Sequence, residues 1–204
     1  MVERTLKNLQ RDGGCLVFDF TNTVNSRKPA PEFEYLKTFE DFLAWSAKVG
    51  SLSKRRFQSL QEHASIKPKL AFAAFRVVID VRENLYQLFS AIASGKSPEV
   101  TVVNAFNEKL SLAFQKINMR FRAAAAETYF NNDETSLDEP LNAIIKSAFD
   151  ILTHEDFHRI KECPRCGWLF LDTSKNGKRR WCDMNVCGSR EKALEYYYRK
   201  TKNS

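Results

Sequence analysis

The sequence predicts an α+β protein in two parts: a mostly helical N-terminal domain with a few short strands, and a small cysteine-rich module behind it. Three observations predict this. Apolar residues recur at helical spacing over much of the first 160 residues, four of the five cysteines lie between positions 163 and 187, and positive charge is concentrated in the same region. Residues 161–204 contain 11 Lys and Arg against 5 Asp and Glu, a net charge of +6, and the whole chain carries +7. We therefore divide the chain into domains 1–160 and 161–204.

The composition is that of an ordinary globular protein, with 43% hydrophobic and 28% charged residues in a chain of 204. No apolar run approaches the roughly 18 residues that would span a bilayer. The N-terminal stretch MVERTLKNLQRDGG lacks the apolar core of a signal peptide. An odd number of crowded cysteines is also unlike a secreted disulfide framework. These features predict a cytoplasmic protein with no membrane partner.

The first predicted element is a buried strand. The run CLVFDF, residues 15–20, is short and apolar, which favours a strand. The following Thr21, Asn22 and Thr23 carry hydroxyl and amide groups that can cap a short helix. Cys15 lies far from the other cysteines in an apolar run, so we expect an inert buried thiol there.

Helices are predicted for most of the remaining N-terminal domain. Thr38 begins and Gly50 ends a helix with one apolar face, Ser53 caps the next, and Gly95 ends a long apolar one. Residues 117–130 are assigned to the two short strands of a hairpin. The predicted helices cover residues 38–50, 53–64, 71–95, 98–116 and 137–153.

The C-terminal module contains a four-cysteine motif with the spacing C-x2-C-x15-C-x4-C. A zinc ion needs four soft or borderline ligands at the corners of a tetrahedron, and paired cysteines on tight turns supply them in twos. A thioredoxin-type redox pair would need a βαβ setting, which the sequence lacks. Because protein sulfur fills all four positions, the ion would be structural and not catalytic. We predict one Zn²⁺ per chain, held by Cys163, Cys166, Cys182 and Cys187.

The segments around these cysteines predict a treble-clef-like zinc finger. WLFLD (168–172) and RRWCD (179–183) are expected to form two strands joined by a turn at Asn176-Gly177. Cys187 then stands at the start of a final helix, where the positive helix end favours a thiolate. A knuckle, a hairpin and a helix in this order are typical of the treble clef.

Basic residues in the module predict contacts with nucleic acid. Four of them lie at the tip of the predicted hairpin, where their heads can reach phosphates, and two lie on the final helix, which could enter a groove. The alternative is a solvated basic face without a partner, because charge runs are common on protein surfaces. The six residues are Lys175, Lys178, Arg179, Arg180, Arg190 and Lys192.

Both parts of the chain resemble known domains. The tail is similar to the CGNR zinc finger, whose fourth cysteine opens a Cys-Gly-Asn-Arg motif; here it is Cys187-Gly188-Ser189-Arg190. Serine can still cap a helix, whereas a contact that needs the amide would be lost. The stretches LVFDFTNTVNSR, VRENLYQLFSAIASGKSP and VVNAF resemble the ABATE domain found ahead of this finger, in a family described as stress-induced transcription regulators. The resemblance implies DNA binding by the finger and a ligand in the N-terminal domain.

Four polar residues of the N-terminal domain are candidates for that ligand site. Asn22 and Thr23 follow a buried element, Arg27 lies close behind, and Arg82 interrupts an apolar helix. If their side chains converge, they would bind a small polar or anionic effector. The alternative for Arg82 is an ion pair with a neighbouring carboxylate, because buried charges are usually paired.

The sequence therefore predicts a zinc-containing, DNA-binding transcriptional regulator with a small-molecule-sensing N-terminal domain. It does not predict an enzyme, because it has no G-x-S-x-G, phosphate loop or paired carboxylate signature. Three alternatives stay open: an RNA-binding module, a small-molecule enzyme that keeps zinc only for stability, and a module for protein contacts. A continuous basic surface would favour nucleic acid, and a deep pocket at the four polar residues would favour a sensor or an enzyme.

Overall fold

The computed structural model describes residues 4–28 and 30–202, which contain seven α-helices, four short strands, a 3-10 turn at Phe157–Arg159 and a π-helical turn at Met184–Gly188. The mostly helical N-terminal domain and the small cysteine-rich module are both confirmed. No helix in these ranges has the length and apolar character needed to cross a bilayer. The elements are α1 (Leu16–Thr21), α2 (Phe39–Val49), α3 (Lys54–Ile66), α4 (Pro68–Ala93), α5 (Val100–Phe114), β1 (Ile117–Arg122), β2 (Ala125–Phe130), α6 (Glu139–His154), β3 (Ile160–Glu162), β4 (Leu169–Leu171) and α7 (Ser189–Lys202).

Local capping groups fix the helix ends that the sequence predicts. The Thr38 hydroxyl accepts a hydrogen bond from the Asp41 N–H, and the Asp41 carboxylate accepts one from the Thr38 N–H. Gly50 ends α2 with a φ of 81°, a conformation that glycine adopts without steric cost. Ser53 caps α3 with a single bond, which its hydroxyl accepts from the Arg56 N–H. The predictions of α2 to α6 and of the β1–β2 hairpin are confirmed.

The strand predicted at residues 15–20 is wrong, because Leu16–Thr21 is a helix. Five of its six side chains are buried, and they point to all sides of the helix; the ring of Phe18, for example, meets that of Phe89 edge-on with centroids 4.9 Å apart. A helix buried all round shows no polar face, so an apolar run of six residues does not distinguish it from a buried strand. Thr21, Asn22 and Thr23 therefore end α1 instead of capping a following helix.

The strands of the finger also pair differently from the prediction. Strand β4 pairs antiparallel with β3, with Ile160 opposite Leu171 and Glu162 opposite Leu169. The hairpin predicted between residues 168–172 and 179–183 is wrong. The first cysteine pair explains the difference, because the turn that holds Cys163 and Cys166 folds β4 back onto the preceding segment.

A continuous core crosses residue 160. Leu169 and Phe170 of β4 are buried in the same cluster as Phe18 of α1 and Phe89 of α4. Strands β3 and β4 both contact α4, and β4 also contacts α1. The finger thus packs directly against the helices of the N-terminal domain.

Candidate metal centre and nucleic-acid interface

Four cysteine sulfurs meet at one point of the finger. The Sγ atoms of Cys163, Cys166, Cys182 and Cys187 all lie within 4.8 Å of one another. The Cys166–Cys182 and Cys182–Cys187 sulfur distances are 3.5 and 3.7 Å. A zinc ion with four Zn–S bonds of about 2.3 Å would place its sulfurs roughly 3.8 Å apart. All five cysteines are free of disulfides. The donor set and its spacing fit one structural zinc ion, as the sequence predicts.

The first cysteine pair lies in a tight turn, residues 163–168, which we call the knuckle. Gly167 has a φ of 71° and donates its N–H to the Cys163 carbonyl over 2.8 Å, while the Cys163 N–H donates to the Trp168 carbonyl over 2.8 Å. The backbone amides of Cys166 and Trp168 hydrogen-bond to the sulfurs of Cys163 and Cys166. Such bonds favour the thiolate form that binds metal.

The second cysteine pair is positioned by a π-helical turn, Met184–Gly188, which leads into α7. The Asp183 carboxylate accepts hydrogen bonds from the N–H groups at the start of this turn. A Cβ at Gly188 would lie 2.4 Å from the Met184 sulfur and 3.0 Å from the Trp181 ring, so a side chain at this position of the Cys-Gly-Ser-Arg motif would require the Met184 side chain to move. Ser189 donates its hydroxyl to the Met184 carbonyl over 3.2 Å. The serine that replaces asparagine therefore braces the π-helical turn.

The predicted ligand-site residues Arg27, Thr23 and Arg82 lie close together, in a network of ion pairs. Arg82 binds both carboxylate oxygens of Glu34, at 2.6 and 2.7 Å, and the Thr23 hydroxyl at 3.1 Å. It also donates to Glu83 over 2.8 Å, and Arg27 pairs with the other oxygen of Glu83. These contacts support the alternative expectation for Arg82, pairing with carboxylates.

Asn22, the fourth predicted ligand-site residue, faces the finger. Its amide bonds both the N–H and the carbonyl of Leu169. Of the polar side-chain atoms of the four candidates, the Nε of Arg27 is buried without a partner in the described structure. A surface cleft of about 630 Å³ beside the zinc site is lined by other residues. A small-molecule effector thus remains a prediction, and these four side chains are already bound to protein groups.

Five of the six predicted nucleic-acid residues are exposed and form no ion pair within residues 4–28 and 30–202. Arg180 packs its guanidinium over the Trp181 ring, 4.7 Å from the centroid. The five residues are Lys175, Lys178, Arg180, Arg190 and Lys192.

Arg179, the sixth, is half-buried and holds the finger together. Its guanidinium donates to the carbonyls of Trp181 and Cys182 and lies 4.7 Å from the centroid of the Phe170 ring. Its N–H donates to the buried carboxylate of Asp172 over 2.8 Å. Arg179 therefore supports the loop that carries the ligand Cys182.

A basic residue that the sequence analysis did not single out joins this surface. Lys161 lines a shallow groove of about 310 Å³ together with Lys178 and Arg180, on one side of the knuckle residue Pro164. Lys161 belongs to β3, which the sequence analysis did not predict. If the pairing of β3 with β4 had been predicted, Lys161 would have been placed beside the basic residues of the segment 175–180.

A larger cleft of about 630 Å³ also borders the knuckle, and it is lined by residues of the N-terminal segment and of the second cysteine pair. Its lining includes Asp12, Lys28, Asp183 and Arg190. Burial raises the pKa of Asp12 to about 6; the negative charge of Asp183 adds to this effect, and the positive charge of Arg179 opposes it. Burial in this cleft thus disfavours the ionised form of Asp12.

Replacing Asp12 by asparagine is expected to stabilise the protein at neutral pH. The pKa of Asp12 in the folded chain, about 6, lies above its ordinary value of 3.8. The ionised group therefore destabilises the fold above pH 6, and the effect disappears as the pH falls toward about 4. Because solvent screens a half-buried group, we expect a gain of about 1 kcal/mol or less. Denaturant titrations of both proteins across this pH range measure the difference; a gain that is independent of pH would contradict the assignment.

A four-cysteine zinc centre, closed by protein sulfur and packed against a helical domain, defines a zinc-finger protein with a structural metal. Comparison with known families identifies it further. Residues 159–200 match the CGNR zinc finger. Residues 14–155 match ABATE, a family described as "Putative stress-induced transcription regulator". The chain therefore belongs to the ABATE family and carries a CGNR finger, as its motifs indicate. No similar protein was found among the curated sequences.

Proposed function

We propose that this protein is a transcription regulator that binds duplex DNA through its zinc finger. The observation that carries the proposal is a difference between the charged side chains of the finger: four of its five acidic side chains are bound to protein donors, whereas most of the basic side chains that the structure describes are exposed. A surface of this kind attracts phosphates and releases the counterions condensed on them.

Four acidic side chains of the finger are bound to protein donors. Glu162 pairs with Lys28 and accepts a hydrogen bond from Ser90. Glu191 pairs with Arg165 over 3.0 Å. Asp172 is buried and bonded to backbone and hydroxyl donors, and Asp183 caps the π-helical turn. These four carboxylates contribute little negative charge to the exposed surface.

The zinc centre itself lowers the net charge without removing the excess. Four thiolates and one Zn²⁺ together carry −2, which reduces the +6 of residues 161–204 to about +4. The exposed basic residues of the finger lie at and beside the groove formed by Lys161, Lys178 and Arg180, and along α7. We assign the groove residues and Lys175 to phosphate contacts, and Arg179 to the support of the loop.

Helix α7 provides an element that fits a major groove. Within the part of α7 whose side chains are described, every residue is exposed except the half-buried Glu191. An α-helix with its side chains is about 10–12 Å across, and the major groove is about 12 Å wide. Arg190 and Lys192 lie in the first turn of α7, where they could contact base edges. Closure of the metal site by four sulfurs supports a regulator over a zinc enzyme, because no position is open for a catalytic water.

The salt dependence of binding tests the proposal. We expect the protein to bind a mixed-sequence duplex with an affinity that falls as salt rises, and the double variant Lys178→Ala/Arg180→Ala to bind every duplex more weakly. Its slope of log affinity against log salt should be smaller by about 0.9 for each lost phosphate contact. The matched control is Lys54→Ala/Arg55→Ala, which removes the same charge from exposed positions of α3. The control should keep the wild-type slope.

The other candidate functions are outcomes of the same titrations. Binding to structured RNA but not to duplex DNA would replace the proposal by an RNA-binding function, which the exposed tyrosines Tyr196, Tyr197 and Tyr198 would also suit. If neither nucleic acid shows salt-dependent binding, the finger is a structural or protein-contact module. Zinc content is measured for every variant, so that a loss of binding is not confused with a loss of the finger.

A further inference from the structure

We infer that residues 22–28, which belong to the N-terminal domain, form an outer layer of the zinc site that holds the knuckle in its metal-binding shape. This segment leaves α1 and passes along the knuckle, where it contacts the carbonyl of the ligand Cys166 and the backbone of Leu169, directly after the knuckle. Zinc retention would therefore depend on residues about 140 positions away from the ligands they support.

Asn22 provides the first set of contacts. Its side-chain NH₂ donates to the Leu169 carbonyl over 2.8 Å, and its side-chain oxygen accepts the Leu169 N–H over 3.0 Å. Asn22 is 1% exposed, and Leu169 is fully buried. Neither group of Leu169 could turn to water if the amide were removed, so Asn22 fixes the chain directly after the knuckle.

A second set of contacts converges on the carbonyl oxygen of the ligand Cys166. It accepts the N–H of Arg27 over 2.5 Å, the N–H of Lys28 over 3.2 Å and the hydroxyl of Ser26 over 3.2 Å. Three donors on one oxygen fix the peptide plane between Cys166 and Gly167. That plane precedes the Trp168 amide, which bonds to the Cys166 sulfur, so its orientation bears on the metal site.

The same segment is also anchored in the N-terminal domain. The Trp168 indole donates to the Val24 carbonyl over 2.9 Å, which joins the knuckle to the middle of the segment. Arg27 pairs with Glu83 of α4 and lies over the Tyr86 ring at 4.2 Å from its centroid. The segment thus connects α4 to the zinc site. By thermodynamic reciprocity, zinc stabilises this arrangement, and displacement of the segment weakens zinc binding.

The rate of zinc release tests the inference on the full-length, zinc-loaded protein. Transfer of zinc to an excess of a chromogenic chelator is followed for wild type, Asn22→Ala and Ser26→Ala. Loss of outer contacts around metal ligands typically changes metal affinity about 10–100-fold, so we expect release from Asn22→Ala to accelerate by about that factor. Ser26→Ala removes one of the three donors to the Cys166 carbonyl, and we expect the variant to fold. Its rate of zinc release should rise about threefold.

The matched control is Asn142→Ala. Asn142 is also a buried asparagine, 5% exposed, but it lies on α6 and donates its amide to Asn132, away from the knuckle. It should weaken the fold without a specific acceleration of zinc release. Equal release rates for Asn22→Ala and Asn142→Ala, compared at the same global stability, would overturn the inference.

Hydrogen exchange of the wild-type chain gives a second readout that needs no variant. Removal of zinc should expose the amides of Arg27 and Lys28, because both donate to the Cys166 carbonyl. The interior amides of α2 should keep their protection. Unchanged protection of Arg27 and Lys28 in the zinc-free protein would overturn the inference, even if Asn22→Ala failed to fold.

Discussion

Replacement of Cys163 by serine is expected to abolish stoichiometric zinc binding and to unfold more than the finger. Structural zinc contributes an apparent binding free energy of about 10–16 kcal/mol, whereas a whole domain is stable by only about 5–15 kcal/mol. Cys163 is fully buried and follows β3, whose Ile160 belongs to the same core as Phe18 and Phe89. Loss of the metal should therefore loosen the packing of α1 and α4 as well as that of residues 159–200.

Elemental analysis and hydrogen exchange measure the two parts of this expectation. The matched control is Cys15→Ser, because Cys15 lies outside the four-sulfur cluster and burial raises the pKa of its thiol to about 12. The control should retain one zinc per chain. A Cys163→Ser protein with a full equivalent of zinc would contradict the ligand assignment. Normal protection of α1 and α4 in the zinc-free variant would instead show that the two parts of the chain fold independently.

The elements that could be predicted from the sequence are those whose signals are local. The Thr38 capping box, the Gly50 helix end and the Ser53 cap each lie within a few residues of the helix that they define. Helix α1 could not be predicted, because burial on all sides removes its amphipathic pattern. The β3–β4 pairing was missed because the turn between them is set by the cysteine pair and not by the Asn176-Gly177 signal.

The residues of the site likewise fall into two groups: those that a local sequence pattern identifies, and those whose roles depend on distant parts of the chain. The zinc ligands could be predicted because the spacing of four cysteines contains most of the geometric requirement. The role of Asn22 depends on Leu169, 147 positions later, and that of Arg82 on Glu34, 48 positions earlier. Arg179 lies in a basic run that suggests phosphate contacts, but its partners are carbonyls of the finger and the ring of Phe170. Such roles follow from tertiary contacts, which a charge pattern does not encode.

Replacement of Gly167 by alanine is expected to be among the most damaging single-methyl changes in the chain. Gly167 has a φ of 71°, and an added Cβ would lie 2.6 Å from the Cβ of Arg27 and 3.3 Å from its carbonyl carbon. The left-handed conformation costs an alanine about 1–2 kcal/mol. Moving residues 27 and 28 away would also remove their hydrogen bonds to the Cys166 carbonyl, each worth about 1 kcal/mol. We therefore expect a loss of about 3–4 kcal/mol in the free energy of unfolding and faster zinc release.

The control variant Gly95→Ala measures the free-energy cost of the left-handed backbone conformation without the steric clash. Gly95 has the same φ of 71°, but an added Cβ would meet nothing within 4 Å. This control should lose only the backbone contribution of about 1–2 kcal/mol and should keep its zinc. Denaturant unfolding and chelator competition on both variants give the comparison. If Gly167→Ala is no less stable than Gly95→Ala and releases zinc at the wild-type rate, then residues 27 and 28 do not restrain the knuckle, and the close approach of the two segments has no bearing on the metal site.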